Sequence, residues 1–323
     1  MKYRPLGRTG VQVSELCFGT MAFGGDADAA EAARMFRAAR DAGINFFDTA
    51  DQYNAGKSEE ILGGLIRGGR DDLVIATKCF NPTGGDVNAR GANRRHVRRA
   101  VEASLKRLGT DRVEILFLHH YDALTPLEEH MRALEDVVRE GKVLYPAVSN
   151  YSAWQTQAAL GYQERNGWAR LQVIQPMYSL VKRQAEVELL PMAQANDLGV
   201  VAYSPSGGGL LSGRYAQPGA QGRHTTNKMY KLRYGDEWMH DTAAKFVAFC
   251  KAREWHPISA AVAWVAAHPA ITAPIIGGRS LEQMRASLDS VKITMTAELR
   301  AEIAALSRTP PPATDRSDEA AKA

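Results

Sequence analysis

Three short apolar runs of the sequence carry side chains that could together move a proton. Asp48 and Tyr53 lie in the run FFDTADQY, Lys78 closes LVIATK, and His119 closes VEILFLH. A phenol with a pKa near ~10 is a poor acid at neutral pH until a cation stabilises its phenolate. We therefore expect Lys78 to lower the pKa of Tyr53, and Asp48 to keep Lys78 protonated and oriented. His119 could donate a hydrogen bond to the oxygen that Tyr53 protonates.

The composition is that of a globular protein. The chain has 323 residues, of which 45% are hydrophobic and 24% charged, and this length fits one large barrel or two ordinary domains. The net charge of +4 is too small to indicate a nucleic-acid partner. A basic cluster with helical spacing and no interleaved aromatic residues favours a solvated helix face. It comprises Arg94, Arg95, Arg98 and Arg99.

Three features indicate a cytoplasmic protein. The N-terminus has no apolar signal region. No apolar run approaches the ~20 residues of a membrane span, so we expect no membrane association. The three cysteines, Cys17, Cys79 and Cys250, are odd in number and widely spaced. This pattern argues against a disulfide framework and favours a reducing compartment.

Short apolar runs alternate with segments of helical periodicity along the chain. The eight strand-like runs are LCFGT from Leu16, INFFD from Ile44, LVIAT from Leu73, VEILFLH from Val113, YPAVS from Tyr145, LQVIQ from Leu171, VVAYS from Val200 and APII from Ala273. This repeat predicts a parallel sheet buried on both faces, and eight units are the number in a TIM barrel. We therefore expect a single (β/α)8 domain over residues 1–308. The alternative is a doubly wound sheet, but the G-x-G-x-x-G turn typical of that fold follows none of the early strands.

Additional elements are predicted at both ends of the barrel. The run KYRPLGRTGVQV predicts an N-terminal β-hairpin that could close the bottom of the barrel. Residues 204–272 are too many for one loop and one helix. They predict extra helices after the seventh strand, around Thr242–Arg253 and Ile258–Ala267. The tail, 309–323, is Pro-rich and then charged, and it predicts disorder.

Polar side chains stand at the ends of six successive strands. They are Asp48, Lys78, His119, Ser149–Asn150, Gln175 and Tyr203–Ser204. Because the active site of a TIM barrel forms at the carboxyl ends of its strands, we expect these side chains to meet at one mouth. His119, His120 and Asp122 also suggest a metal site. However, neighbouring strand residues point to opposite faces, so the two imidazoles should diverge, and we expect no metal.

Two glycine-rich segments in the second half could bind phosphate groups. No Ser or Cys arrangement typical of a nucleophile is evident, so a cofactor must supply the hydride for the proton-transfer site. The first segment allows close backbone approach to a phosphate, and it contains Gly207, Gly208, Gly209, Gly213 and Arg214. The second follows the eighth strand and opens a helix, as anion sites do, and it contains Gly277, Gly278, Arg279 and Ser280.

The sequence resembles the aldo-keto reductase family from about Tyr3 to Leu288. The resemblance rests on the motifs FFDTADQY, ATK, LFLHHYD, VSNY, IQPMYSL, AYSPSGGGLLSGRY and PIIGGRSLEQ. It implies a TIM barrel that binds NADPH (or NADP+) without a Rossmann fold. It also implies reduction of an aldehyde or ketone to an alcohol, or the reverse reaction, on a small-molecule carbonyl substrate. The catalytic tetrad would be Asp48, Tyr53, Lys78 and His119, with Tyr53 as the general acid.

The same resemblance implies a set of cofactor-binding residues. Those near the nicotinamide would be Gly19, Thr20, Met21, Asp48, Ser149, Asn150 and Gln175, with Tyr203 stacked on its ring. The pyrophosphate loop would comprise Ser204, Pro205, Ser206, Gly207, Gly209 and Arg214. The adenosine phosphate would be held by Gly277, Arg279, Ser280 and Gln283. Arg214 and Arg279 lead us to expect NADPH rather than NADH.

The sequence departs from the family pattern near the adenine. Where the family often has Leu at position 206 and an acidic–Asn pair at 286 and 287, this chain has Ser206, Ala286 and Ser287. The contact with the adenine amino group should therefore differ. A basic and aromatic segment, Gln221–Trp238, could cover the cofactor or form an oligomer contact. The sequence does not define the oligomeric state.

Two other functions remain open from the residues alone. One is a redox-sensing regulatory subunit that binds the cofactor with weak turnover. The other is a Schiff-base aldolase in which Lys78 is the nucleophile. The aldolase needs a lowered lysine pKa, whereas Asp48 nearby would raise it.

Overall fold

A barrel of eight parallel strands follows an N-terminal hairpin in the computed structural model, which describes residues 1–216 and 222–314. The antiparallel hairpin consists of β1 (Tyr3–Pro5) and β2 (Gln12–Ser14). The barrel strands are β3 (Cys17–Gly19), β4 (Phe46–Asp48), β5 (Val74–Cys79), β6 (Val113–Leu118), β7 (Val143–Ser149), β8 (Val173–Gln175), β9 (Gly199–Ala202) and β10 (Ala273–Ile276). They pair in chain order, and β10 closes on β3. The predicted (β/α)8 barrel is confirmed, and the doubly wound sheet is excluded.

Helices surround the barrel between and after these strands. They are α1 (Ala29–Asp41), α2 (Lys57–Ile66), α3 (Arg94–Leu108), α4 (Leu127–Arg139), α5 (Ala153–Asn166), α6 (Leu189–Ala195), α7 (Arg223–Thr226), α8 (Lys228–Tyr234), α9 (Glu237–Lys251), α10 (Pro257–Ala266), α11 (Leu281–Leu288) and α12 (Ala297–Ala304). The two helices predicted after the seventh barrel strand are confirmed as α9 and α10, whereas α7 and α8 were not predicted. The predicted disorder of the tail falls mostly on 315–323, outside the described residues.

The basic cluster of the sequence lies on the outer face of α3. Asn93 caps this helix by accepting the His96 N–H at 2.9 Å, and Gly109, with φ 65°, ends it. The four arginines of the cluster are exposed. Arg94 pairs with Asp136 at 2.6 Å, and its three neighbours also face carboxylates. The prediction of a solvated helix face is confirmed.

The hairpin closes one end of the barrel interior. Leu6 and Val13 are fully buried and belong to the same apolar cluster as the inward-facing strand residues. That cluster contains Cys17, Phe46, Val74, Ala76, Ile115, Phe117, Ala147, Val173, Val201 and Ala273. A packed interior of this kind fixes the strand positions, so the polar residues at the opposite strand ends are held rigidly.

The strand register brings the polar strand ends to one level. Gly19 pairs with Asp48 across β3 and β4, and Ser149 pairs with Gln175 across β7 and β8.

No helix among the described residues has the length and apolar character needed to cross a lipid bilayer.

Candidate active site

Lys78 is the centre of the polar cluster at the barrel mouth. Its side chain is fully buried, and its Nζ donates to Asp48 Oδ1 at 2.5 Å and to the Thr49 carbonyl at 2.7 Å. The third contact of Nζ is the Tyr53 hydroxyl, 3.2 Å away. A buried ammonium needs this paired environment to remain charged. The structure therefore brings Asp48, Tyr53 and Lys78 together.

Tyr53 is presented by a tight turn after β4. The 3₁₀ turn Tyr53–Gly56 contains two non-glycine residues with left-handed backbones, Asn54 with φ 51° and Ala55 with φ 56°. The Asn54 side-chain amide donates to the carbonyls of Met21 and Phe23, at 3.0 and 2.7 Å. These bonds tie the turn to the segment after β3. Strained backbone held in this way is common where a side chain must be aimed.

His119 is the fourth member of this cluster, and it lies one residue beyond the end of β6. Its ring meets the Tyr53 ring edge-on, with 6.1 Å between the centroids. The Gln52 amide nitrogen lies 3.3 Å from Nδ1 of His119.

The expectation that the two neighbouring imidazoles diverge is wrong. The rings of His119 and His120 stack at 5.0 Å. Strand alternation does not apply to them because β6 ends at Leu118. Stacked rings do not by themselves make a metal site. Within 1–216 and 222–314, no group of three His, Cys, Asp or Glu residues could hold a metal ion.

The charges of the cluster are set by burial and by Lys78. Lys78 lowers the pKa of Tyr53 as expected, through its charge and its hydrogen bond, but burial has the larger effect and the net pKa is raised. Burial alone would lower the pKa of Lys78, but Asp48 and Tyr53 bring it above its usual value. Burial, Lys78 and His120 lower the pKa of His119 to about 2. At neutral pH the site therefore holds a neutral phenol, an ammonium and a neutral imidazole.

A chain of hydrogen bonds continues around the mouth from Asp48. Gln175 donates its amide to Asp48 Oδ2 at 2.9 Å, and Ser149 donates to the Gln175 carbonyl at 2.8 Å. Asn150 donates to the His119 carbonyl at 2.9 Å and accepts from the Tyr203 hydroxyl at 2.7 Å. Asn150 also donates to the Ser149 hydroxyl at 3.1 Å, which joins these bonds into one network. None of these bonds involves Ser204, the remaining strand-end residue chosen from the sequence.

Sequence reasoning missed a second charged group behind the mouth. Glu59, fully buried, accepts from Thr77 at 2.5 Å and from Arg107 at 2.7 Å. Asp51 is 3% exposed, and neither of its carboxylate oxygens has a hydrogen-bond partner. Burial and the charge of Glu59 raise the pKa of Asp51 to about 7. Only the position of Asp51 between Asp48 and Tyr53 could have drawn attention to it.

The segment after β3 contributes backbone rather than polar side chains. A Cβ on Gly19 would lie 2.7 Å from Ile275, and one on Gly277 would lie 2.9 Å from the Gly19 carbonyl. These glycines let the first and last barrel strands approach closely. Met21 is 42% exposed beside them. The Thr20 side chain is fully buried and bonds to Ser58, so the structure does not bring it to the mouth.

The first glycine-rich segment forms a 3₁₀ turn, Gly207–Ser212, next to Tyr203. Gly207, Gly208 and Gly209 all have positive φ, and a Cβ on Gly209 would meet nothing within 4 Å. At Gly208 a Cβ would lie 2.7 Å from the Tyr230 ring, and its carbonyl lies 3.1 Å from His224 Nε2. The described part of the basic, aromatic segment, 222–238, therefore packs on this turn.

The other positions of this segment differ in accessibility. Ser204 has a left-handed backbone with φ 59°. Pro205 is buried, Ser206 is half-buried, and Arg214 is exposed. Arg214 forms no ion pair within the described residues.

The second glycine-rich segment leads into α11. Ser280 caps this helix by accepting the Gln283 N–H at 3.4 Å, and the Gln283 side chain accepts the Arg279 N–H at 3.2 Å. The Leu281 N–H instead donates to Glu31 at 2.6 Å. A carboxylate thus already occupies part of this helix N-terminus. Ser287, one of the departures from the family pattern, is 5% exposed and faces the interior.

The fold and this cluster together identify the class of protein. The sequence profile of the aldo/keto reductase family matches residues 15–308, and the chain belongs to this family. It is an oxidoreductase that acts on carbonyl and alcohol groups.

Three relatives illustrate the range of proteins that the chain is similar to. An uncharacterized oxidoreductase, YrpG, of Bacillus subtilis is 41% identical over 310 residues, which cover 93% of this chain and 94% of the relative. A probable voltage-gated potassium channel subunit beta of Oryza sativa is 34% identical, over 98% of this chain and 99% of the relative. Versiconal hemiacetal acetate reductase of Aspergillus parasiticus is 30% identical, over 92% and 94%.

Proposed function

We propose that this chain reduces an aldehyde or ketone to an alcohol with NADPH, and that Tyr53 delivers the proton. The observation that carries the proposal is the contact of Lys78 Nζ with both Asp48 and Tyr53, at 2.5 and 3.2 Å. Tyr53 is protonated before the reaction, and the ammonium of Lys78 stabilises the phenolate that proton donation leaves behind. Asp48 keeps that ammonium charged and in place.

His119 has a different role in this proposal. Its low pKa leaves the imidazole neutral, so it cannot serve as a strong acid. It instead donates a hydrogen bond to the carbonyl oxygen that gains negative charge. The edge-on contact between its ring and Tyr53 supports a common target for both groups.

The residues around the mouth suit a nicotinamide dinucleotide. When bound, the nicotinamide supplies the hydride that reduces the carbonyl carbon. Asn150, Gln175 and Tyr203 would hold its ring and carboxamide. Gly209 borders open space where a pyrophosphate can approach the backbone. Arg214 and Arg279, which have no carboxylate partner within the described residues, would bind its phosphates and favour NADPH over NADH.

Replacement of the acid tests the proposal directly. Tyr53→Phe should lower kcat for aldehyde reduction by a factor of roughly 100 to 10,000, since it removes a general acid. NADPH binding, followed by fluorescence titration, should stay within twofold of the unaltered protein. Tyr162→Phe, on the outer helix α5, is the matched control. Undiminished turnover in Tyr53→Phe would overturn the proposed mechanism.

A regulatory role is the second candidate, and two relatives carry the name of a probable channel subunit. It predicts tight NADPH binding with negligible turnover across a panel of aldehydes, ketones and sugar phosphates.

The Schiff-base alternative is disfavoured because Asp48 holds Lys78 in its charged form. Borohydride trapping of a substrate on Lys78 would revive it.

All three cysteines are buried and unpaired, which supports a reducing compartment such as the cytoplasm.

A further inference from the structure

A shallow, largely open groove of about 600 Å³ lies along α8 beside Lys182, which belongs to the segment after β8. It is lined by Lys182, Lys228, Met229, Leu232 and Arg233. Three of these residues are cations and none is acidic. We call it the α8 groove.

The three cations of the α8 groove have no carboxylate partner among the described residues, whereas other basic residues of this protein do. Arg94, Arg107 and Arg183, for example, each pair with a carboxylate at 2.6–2.8 Å. No carboxylate lies within ion-pair distance of Lys182, Lys228 or Arg233 in the part of the chain that the structure describes.

The cations are also near one another. Burial lowers the pKa of Lys182, and the charge of Arg233 lowers it further, although Asp236 opposes both. Asp236 offsets part of this positive charge but, among the described residues, forms no ion pair with Lys182 or Arg233. Cations held near one another without a paired carboxylate favour the arrival of an anion.

The α8 groove is connected to the barrel mouth by a series of contacts. Lys182 Nζ lies 5.6 Å from the centre of the Tyr234 ring. The Tyr234 hydroxyl contacts the Met177 sulfur at 3.8 Å, and Met177 pairs with Tyr203. Tyr203 in turn bonds to Asn150 in the network around His119.

Arg233 acts on this mouth through its charge. Burial and the charge of Arg233 lower the pKa of His120, whose ring stacks on His119. Arg233 also opposes the rise that burial causes at Tyr203. Arg233 therefore lies near enough to the mouth for its charge to act on His120 and Tyr203.

The apolar part of the lining indicates what the anion is attached to. Met229 is 47% and Leu232 is 78% exposed. Their side chains flank the cations on α8, so an apolar stem can lie beside them while its acidic end meets Arg233. The lining thus suits a molecule with an apolar body and a carboxylate.

We propose that the α8 groove binds the carboxylate of an acidic carbonyl substrate, so that the preferred substrates are oxo-carboxylates with an apolar stem. This inference rests on the proposed carbonyl reduction and adds a substrate class to it. Arg233 is the principal contact because its planar guanidinium can hold both carboxylate oxygens. Lys182 and Lys228 contribute attraction at longer range, which salt should screen.

A series of straight-chain ω-oxo carboxylates of increasing length, each compared with its own methyl ester, tests the inference. The ester keeps the aldehyde and the stem and removes only the charge. At one or more lengths, kcat/KM for the acid should exceed that for the ester roughly tenfold. Arg233→Met should reduce this ratio to near unity, and added salt should reduce it in the unaltered protein.

The control is Lys231→Met, because Lys231 is an exposed lysine of the same helix that does not line the α8 groove. It should leave the ratio unchanged. Arg233→Lys should retain part of the preference. If Arg233→Met weakens turnover of acid and ester equally, or if no length shows a preference for the acid, the inference is wrong while the proposed reduction stands.

Calorimetry separates this inference from failure of the proposed reaction. Should no aldehyde be reduced, the proposed function fails, and titration of the same acids and esters into the protein still tests the groove. Tighter binding of the acid that is lost in Arg233→Met and kept in Lys231→Met would support it. Equal binding of acid and ester would overturn it.

Discussion

Gln52 holds its side-chain amide nitrogen 3.3 Å from Nδ1 of His119. An amide nitrogen only donates, so Nδ1 accepts and the proton of the neutral imidazole resides on Nε2. Nε2 is the atom that can then donate to a substrate oxygen. Gln52 also immediately precedes Tyr53 in the chain. One short segment therefore supplies the proposed acid and orients its partner ring.

Gln52→Glu should reverse this arrangement. A carboxylate accepts, so it would draw the imidazole proton to Nδ1 and raise the pKa of His119 from its low value. We expect kcat for aldehyde reduction to fall roughly tenfold, the effect of losing one hydrogen bond in the transition state, with little change in NADPH affinity. The pH profile of kcat should also change. Gln12→Glu, an exposed change in β2, should do neither. An unaltered rate and pH profile in Gln52→Glu would contradict the role of Gln52 in placing the imidazole proton of His119 on Nε2.

Asp51 should make folding stability depend on pH. Its pKa is raised from near 4 in an unfolded chain to about 7 in the fold. Between these values the unfolded chain has released the proton and the folded chain has not, so stability falls as pH rises and stays low above pH ~7. Asp51→Asn removes the ionisation. It should stabilise the protein by roughly 2–4 kcal/mol at pH 8 and by little near pH 4.

Urea denaturation at a series of pH values measures this difference. Asp41→Asn, at the exposed C-terminal end of α1, is the control and should show no comparable dependence on pH. If Asp51→Asn changes stability by the same amount at pH 4 and at pH 8, the prediction that Asp51 is buried with a raised pKa is wrong.

Two adjacent glycines of α2 should respond oppositely to the same substitution. A Cβ on Gly63 would lie 2.6 Å from the carbonyl oxygens of Arg107 and Leu108, so α2 and α3 would have to separate. Gly63→Ala should destabilise the protein by roughly 1–3 kcal/mol. A Cβ on Gly64 meets nothing within 4 Å, so Gly64→Ala should stabilise by about 0.5–1 kcal/mol. Denaturation midpoints that shift in the same direction would contradict this packing.

The parts of the site that the sequence predicted are those that local patterns determine. Asp48, Lys78 and Gln175 follow or close apolar strands, and the barrel then brings strand ends together whatever the side chains are. The direction of the net shift in the Tyr53 pKa could not be predicted in this way, because it depends on the balance between burial and one nearby cation. The stacking of His119 on His120 depends on β6 ending one residue early.

The parts that the sequence did not predict depend on contacts between distant segments. Glu59 has the position of an ordinary first-turn residue of α2, yet it is buried against Arg107 from α3. Lys182 and Arg233 are far apart in the chain, and only the packing of α8 on the segment after β8 brings them to one groove. No periodicity or motif carries this information, because it is created by the tertiary fold.

Glu31 should limit the preference for NADPH under the proposed function. Its carboxylate pairs with Arg34 at 3.0 Å and accepts the Leu281 N–H at 2.6 Å. Leu281 is two residues after Arg279, which is proposed to bind the adenosine phosphate. A nearby negative charge repels that phosphate. Glu31→Gln keeps an acceptor for Leu281 and removes the charge. It should tighten NADPH binding about fivefold, as expected for a partly exposed charge, and leave NADH binding unchanged.

Arg279→Gln should act in the opposite direction and weaken NADPH binding alone. Glu298→Gln, in the first turn of α12, removes a carboxylate elsewhere and should affect neither cofactor. Fluorescence titrations of both cofactors against each variant measure these effects. Because NADPH and NADH differ only in the adenosine phosphate, a change shared equally by both would show that Glu31 and Arg279 do not face that phosphate. The effect of Glu31→Gln should also diminish at high salt, since the repulsion acts across a partly exposed surface.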